Sequence, residues 1–251
     1  MKLEWDYTKL ADAYLKRPDY AQDAIDNMLL KAKTPQNGKA CDIGVGCAHL
    51  TIKLAEKGLN VSAVEPNEAM RNNGIKRTTQ FSNVMWHVGV ADDTGMESGI
   101  YDIVTFGSSF GVSDRQLALK ETHRLLNEQG YFACMWNHRD LSDPLQEKIE
   151  NIIKSHVDDY SYGTRREDQT AEIDRSGLFD KVEYVESNVI HSVNAKDFVE
   201  GWRSHATVHR QSGEKFEAIM DEIDNVVMSM ADENGNVKVP YTTRVYMAKK
   251  K

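Results

Sequence analysis

Cysteine is scarce in this chain, and its spacing suits no bridge: Cys41, Cys47 and Cys134 make an odd count with no CxxC pair. Neither a disulfide framework nor a cysteine zinc site is suggested, and the thiols read as reduced, in keeping with a cytosolic protein. Long apolar runs are missing as well. No uninterrupted stretch of about 18 apolar residues occurs, and the opening MKLEWDYTKLADAYLKRPDY lacks the apolar centre of a signal segment. Secretion and membrane spanning are therefore not expected. Basic charge is in deficit: 31 lysines and arginines face 39 aspartates and glutamates, a net charge of −8. Nucleic acids and anionic membranes both call for a positive footprint, so a small molecule is the expected partner. No repeat or low-complexity tract stands out, and the run Lys249, Lys250, Lys251 reads as a solvated tail.

What is present is an alternation of strand and helix patterns. Apolar residues at helical spacing (Leu10, Tyr14, Ala21, Ile25, Met28, Leu29) predict two helices within residues 5–33, broken at Arg17 and Pro18. Strands are predicted at Lys39–Ile43, Asn60–Val64, Val84–Val88, Tyr101–Phe106, Gly130–Trp136, Lys181–Ile190 and Arg244–Ala248. Helices are predicted at 49–57, 67–77 and 114–126 between the first five strands, and at 143–156, 195–211 and 213–231 further on. Strands separated by helix-length patterns imply parallel strands with right-handed crossovers, hence a doubly wound Rossmann-like α/β sheet with helices on both faces.

The first strand runs into ACDIGVGCAHLTIKLAEKG, Ala40 to Gly58, in which Gly44 and Gly46 form a turn before a helical period begins. Such a turn lies at a strand's carboxyl end, where open α/β sheets bind ligands. The second strand ends in VSAVEPNEAM, which places Glu65 21 positions beyond Gly44 (65 − 44). A carboxylate there can accept hydrogen bonds from a ribose diol; it can equally end a strand beside Pro66 and stay solvated. Asp42 either orients the loop or is a plain turn former. A dinucleotide fingerprint requires GxGxxG, and here the third position is His49.

The pattern DxGxG-x-A, from Asp42 through Gly44 and Gly46 to Ala48, resembles the first motif of the class I S-adenosylmethionine-dependent methyltransferases. The runs AVEPNEAM, VGVADDTGM and YDIVTFGSSFGVSDRQLALKETHRLLNEQGYFACMWNHRD follow in the family's order. RPDY near the start and WNHRD after the fifth strand are closest to the small-molecule branch that includes trans-aconitate methyltransferase. The resemblance implies a seven-stranded, mostly parallel sheet with a helical cap, and S-adenosylmethionine as cofactor with S-adenosylhomocysteine as product. It implies a cofactor site of Asp42, Gly44, Gly46, Glu65, Pro66, Met70, Ala91, Asp92 and Phe106, with Tyr14 and Arg17 of the N-terminal helices near the methionine carboxylate. Three departures stand out: Val90 where many members have a carboxylate, FGSSFGVSD in place of an aromatic pair, and Ala48 in place of glycine. The second bears on substrate, with Phe110 a candidate contact.

One domain is expected: lid helices over 1–35, a cofactor-binding core over 36–136, cap insertions and the sixth strand within 137–243, and the last strand and tail over 244–251. The cap is expected to choose the acceptor. His205 and His209, four apart on one predicted helix face, and His138 after the fifth strand are candidate bases; no acidic neighbour completes a metal motif around the pair. Arg165 and Arg166 can clamp an anionic substrate, and Trp202 is a candidate platform. Each also has a plainer reading, as a solvated or packing residue. The expected reaction is methyl transfer to oxygen or nitrogen of a small acceptor, with no metal. A nicotinamide-dependent oxidoreductase and a non-catalytic cofactor-binding protein are the alternatives.

Overall fold

The computed structural model describes residues 6–251; the first positions of the predicted N-terminal helical region, up to residue 5, lie outside the described residues. The strands are β1 (Lys39–Ile43), β2 (Asn60–Val64), β3 (Val84–His87), β4 (Tyr101–Gly107), β5 (Leu126–Arg139), β6 (Glu183–Asn194) and β7 (Asn236–Lys249). They form one seven-stranded sheet in the order β3-β2-β1-β4-β5-β7-β6. The first five strands pair in parallel, and β7 runs antiparallel to both β5 and β6.

The sheet's two faces follow from the two-residue period of its strands. Ala40, Ile103, Ala133 and Met135 point to one face, where α2 (Gln22–Lys31) and α3 (His49–Glu56) cover them through Ile25, Met28 and Leu54. Cys41, Val104, Phe106, Phe132 and Cys134 point to the other, under α5 (Arg115–Leu125) and α7 (Thr170–Ser176). Helix starts are set by local chemistry. Asn67 caps α4 (Glu68–Arg77), Asp114 caps α5, and Asp143 caps α6 (Pro144–His156), which also has proline in its first turn.

Above the carboxyl ends of the strands lies a second apolar cluster. It joins α6, α8 (Ala195–Arg203), α9 (Ala206–Ser212) and α10 (Phe216–Ser229) to Val237, Val239 and Tyr241 of β7. The helix predicted over 195–211 is in fact two, parted at Ser204, whose hydroxyl bonds back to the Gly201 carbonyl. On the N-terminal side a 3₁₀ turn (Thr8–Leu10) leads into the short α1 (Ala11–Tyr14), whose Ala11 and Tyr14 pack on Cys47 and Met70. No helix among the described residues is long and apolar enough to cross a membrane.

Candidate functional site

The strand order reverses between β1 and β4, which opens a crevice at their carboxyl ends. A cavity of about 140 Å³ lies there, lined by Asp42 near the end of β1 and Val45 after it, Gly107 at the end of β4 and Ser108 after it, and Trp136 to Arg139 at the end of β5. Tyr7, Tyr14 and Arg17 close it from the N-terminal segment, and Tyr160, Tyr162, Arg165, Arg166 and His205 from the cap.

The turn between β1 and α3 is made by conformation. Gly44 and Gly46 have φ of +66° and +60°, and a Cβ on Gly44 would lie 2.5 Å from that of Ser109. Ala48 adopts the left-handed region as well, with φ +69°, at the start of α3. The Gly46 N–H donates to Glu65 Oε2 at 2.7 Å and the Asn67 N–H to Oε1 at 2.8 Å, so the buried carboxylate ties the first turn to the second. Burial pushes the Glu65 pKa up while the two amides oppose the rise. Asp42, fully buried, accepts from the hydroxyls of Thr51 (2.6 Å) and Thr105 (2.8 Å); burial carries its pKa to about 6 despite both bonds.

Several buried polar atoms around the cavity have no partner among the described residues, including Nε of Arg17 and Nε2 of His49 and of His138. Burial lowers the pKa of His49 to about 3 and that of His138 to about 4, with neighbouring guanidinium groups adding to both shifts. His205 is stacked on Trp202 with centroids 4.0 Å apart, and its Nε2 meets the Arg17 guanidinium. Desolvation, then Arg17, Arg165 and Arg139, press it well below its ordinary range. Ser108, bonded through its hydroxyl to Tyr20 at 2.9 Å, holds φ at +67°, an outlier at the cavity wall of the kind that gathers at functional sites.

Of the expected site residues, Asp42, Tyr14, Arg17, His138, Arg165, Arg166 and His205 line the cavity together. Gly44, Gly46, Glu65, Pro66 and Met70 are not among the residues that line it; Met70 packs on Cys47, and a Cβ on Gly46 would meet Met70 Cε at 3.0 Å. Ala91 and Asp92 do not reach the cavity; they sit in a loop after β3 closed by a Val90–Asp93 bridge, Ala91 against the core and Asp92 exposed. Four expectations are corrected. Phe106 and Phe110 are fully buried and pack on one another and on Phe132, because the strand's alternation turns Phe106 toward α5 and the following 3₁₀ turn tucks Phe110 beneath it. His209 is exposed on α9 against Phe216, since the break at Ser204 removes the shared face with His205. Trp202 is buried in the cap cluster and supports His205 and Arg139 without lining the cavity. Tyr20, expected beside Tyr14 and Arg17 in the N-terminal segment, lines the cavity as well, whereas site roles for His49, Ser108, Trp136, Arg139 and Tyr160 were not expected. His49 alone had a local signal, its place as the first residue of the helix after the glycine turn.

Residues 41–134 match the family described as a methyltransferase domain. The chain is 32% identical over 138 residues to the ubiquinone/menaquinone biosynthesis C-methyltransferase of Rickettsia prowazekii, covering 50% of this chain and 52% of that one. The chain spans about half the length of the curated relatives it matches first. Among solved structures it superposes on a putative type II methyltransferase from Anaeromyxobacter dehalogenans with a TM-score of 0.66, 18% identity and 94% and 97% of the two chains covered. It also superposes on phosphoethanolamine N-methyltransferase 2 of Haemonchus contortus, solved with phosphomonomethylethanolamine and S-adenosylhomocysteine, with a TM-score of 0.57 and 17% identity over 97% of this chain and 57% of that one. The fold is thus a Rossmann-like one shared with solved methyltransferases, and residues 41–134 are similar to a methyltransferase domain. No trans-aconitate methyltransferase is among these relatives.

Proposed function

We propose that this chain moves a methyl group from S-adenosylmethionine to a small molecule held in the cavity over β1 and β4. The observation that carries the reading is the Gly44–Gly46 turn at the strand-order reversal, joined by its own amide to the Glu65 carboxylate. The match over 41–134 supports methyl transfer, and the neighbour solved with S-adenosylhomocysteine supports the cofactor. A dinucleotide reading has less behind it. The third glycine is absent, and β7 intervenes between β5 and β6 where the dinucleotide order runs 3-2-1-4-5-6.

The donor set fits such a cofactor. Glu65 spends one lone pair of each oxygen on an amide and keeps the others for ribose hydroxyls. The unpartnered Arg17 Nε suits a carboxylate. Ala91 and Asp92, which do not reach the cavity, add nothing to this fit. Space is the constraint: about 140 Å³ is below the roughly 300–1,000 Å³ of ordinary ligand pockets.

When bound, the cofactor supplies a sulfonium methyl already activated for displacement. The chain's task is to hold the acceptor in line and exclude water, an orientation effect of about 7–11 kcal/mol at its best. Arg165 and Arg166 face the acceptor, and His138, neutral at pH 7, is placed to take a proton where the acceptor carries one. Calorimetry with S-adenosylhomocysteine and with NAD tests the reading. Binding of the former alone is expected; binding of NAD alone would overturn it.

A further inference from the structure

Four guanidinium groups surround the cavity, brought from distant parts of the chain: Arg17, Arg139, Arg165 and Arg166. Arg139 is neutralised. It pairs with Glu150, both being buried, and Glu150 also takes Lys154 and the hydroxyl of Tyr162. The other three have no carboxylate at ion-pair distance among the described residues. Arg17 rests on the Tyr14 ring and touches His205; Arg166 lies 3.8 Å over the Tyr162 ring. Tyr162 in turn is fixed by Glu150, so Arg166 is held in place by an aromatic face and leaves its donors free.

Resting on the proposed methyl-transfer reading, we infer that the acceptor is a small oxyanion, a carboxylate or phosphate, carried on a flat apolar body. A partly buried guanidinium without a counter-charge is costly, and planar oxyanions match its forked donors. The cofactor does not remove the excess, because its sulfonium and ammonium outweigh its one carboxylate. That single carboxylate can neutralise at most one of the three guanidinium groups, and Arg17, with its unpartnered Nε, suits it. Arg165 and Arg166 are left facing the space where the acceptor sits, between the rings of Tyr160, Tyr162 and Trp136. Burial and neighbouring positive charge already disfavour the charged form of Arg165, a strain that a bound anion relieves.

Titrations of the full chain, saturated with S-adenosylhomocysteine, with isophthalate, phenyl phosphate and neutral isophthalamide test this. At least one acid is expected to bind about tenfold or more tightly than the amide, the factor of one charge-assisted contact. That advantage is expected to vanish in Arg165→Gln and Arg166→Gln, and to persist partly in Arg165→Lys, with thermal melts confirming that each variant is folded. Which acid binds decides between carboxylate and phosphate. Equal binding of acids and amide, or an advantage that both glutamine variants retain, overturns the inference. Failure of S-adenosylhomocysteine to saturate the protein is seen separately, in the first titration, and counts against the cofactor reading instead.

Discussion

Arg17 and His205 meet across 188 positions of sequence, the guanidinium donating to the imidazole Nε2. The contact joins the N-terminal segment to the cap over the cavity and takes up the lone pair that a general base would use. His205 is thus an acceptor that aims Arg17, stacked in place by Trp202.

The buried imidazoles set the acid limit of the fold. His49, His138 and His205 all have folded pKa values below their ordinary 6.5, so the unfolded chain takes up protons first as pH falls. His49 and His138 each withdraw up to about 1.4 kcal/mol per pH unit below roughly 6.5, the loss for His138 levelling off near its folded value of about 4, and His205 acts in the same direction. Asp42 works in the other direction. Its folded pKa of about 6 lies above 3.8, so protonation below 6 favours the folded state and offsets one histidine, and Glu65, also raised by burial, acts in the same direction at lower pH. Melting temperature is therefore expected to fall continuously from pH 6.5 to 5, and His138→Gln is expected to flatten that slope. An unchanged melting temperature across this range would contradict the assignment.

Glu65→Ala is expected to weaken S-adenosylhomocysteine binding by about 2–4 kcal/mol, the scale of charge-assisted hydrogen bonds. It is also expected to lower stability, because the amides of Gly46 and Asn67 lose their acceptor. Glu65→Gln keeps one acceptor oxygen and is expected to recover part of the stability while binding stays weak. Calorimetry and melting on the same pair of variants separate the two roles.

Gly46→Val is expected to abolish detectable cofactor binding. A β-branched residue at φ +60° is strained, and its Cβ would press on Met70 Cε. Circular dichroism with near-native helix content beside absent binding is the expected pair of results; normal binding would remove the turn from the site.

The parallel core was legible because its signals are local. Short apolar strands bounded by glycine or proline placed β1, β2 and β4 to within a residue, and the two glycines marked the turn. The antiparallel edge was less so. β7 begins at Asn236 and not Arg244, its first half hidden by Pro240; that residue is tolerated because the pairing with β5 stops at Tyr241. The site divides the same way. Asp42 and Glu65 could be found from spacing, whereas the ring of Arg17, Arg139, Arg165 and Arg166 exists only once four segments converge. Phe106 and Phe110 were misplaced because proximity in sequence to the site was read without the strand's parity.

His138 and His209 divide the catalytic expectation between them. His138 is buried at the cavity wall with Nε2 unpartnered, whereas His209 is exposed on the outer side of α9. Once an acceptor is known, His209→Ala is expected to leave turnover within about twofold of wild type, as surface substitutions usually do. For an acceptor that must lose a proton, His138→Gln is expected to lower turnover about a hundredfold, the lower end of general-base contributions. The pH profile discriminates further. With a folded pKa of about 4, His138 stays neutral through pH 5.5, so wild-type turnover is not expected to show the inflection near 6.5 that a solvated imidazole would give. A loss of turnover in His209→Ala as large as that in His138→Gln would transfer the role to the exposed residue. For an acceptor that reacts as its anion no proton has to leave, and His138→Gln is then expected to change KM more than kcat.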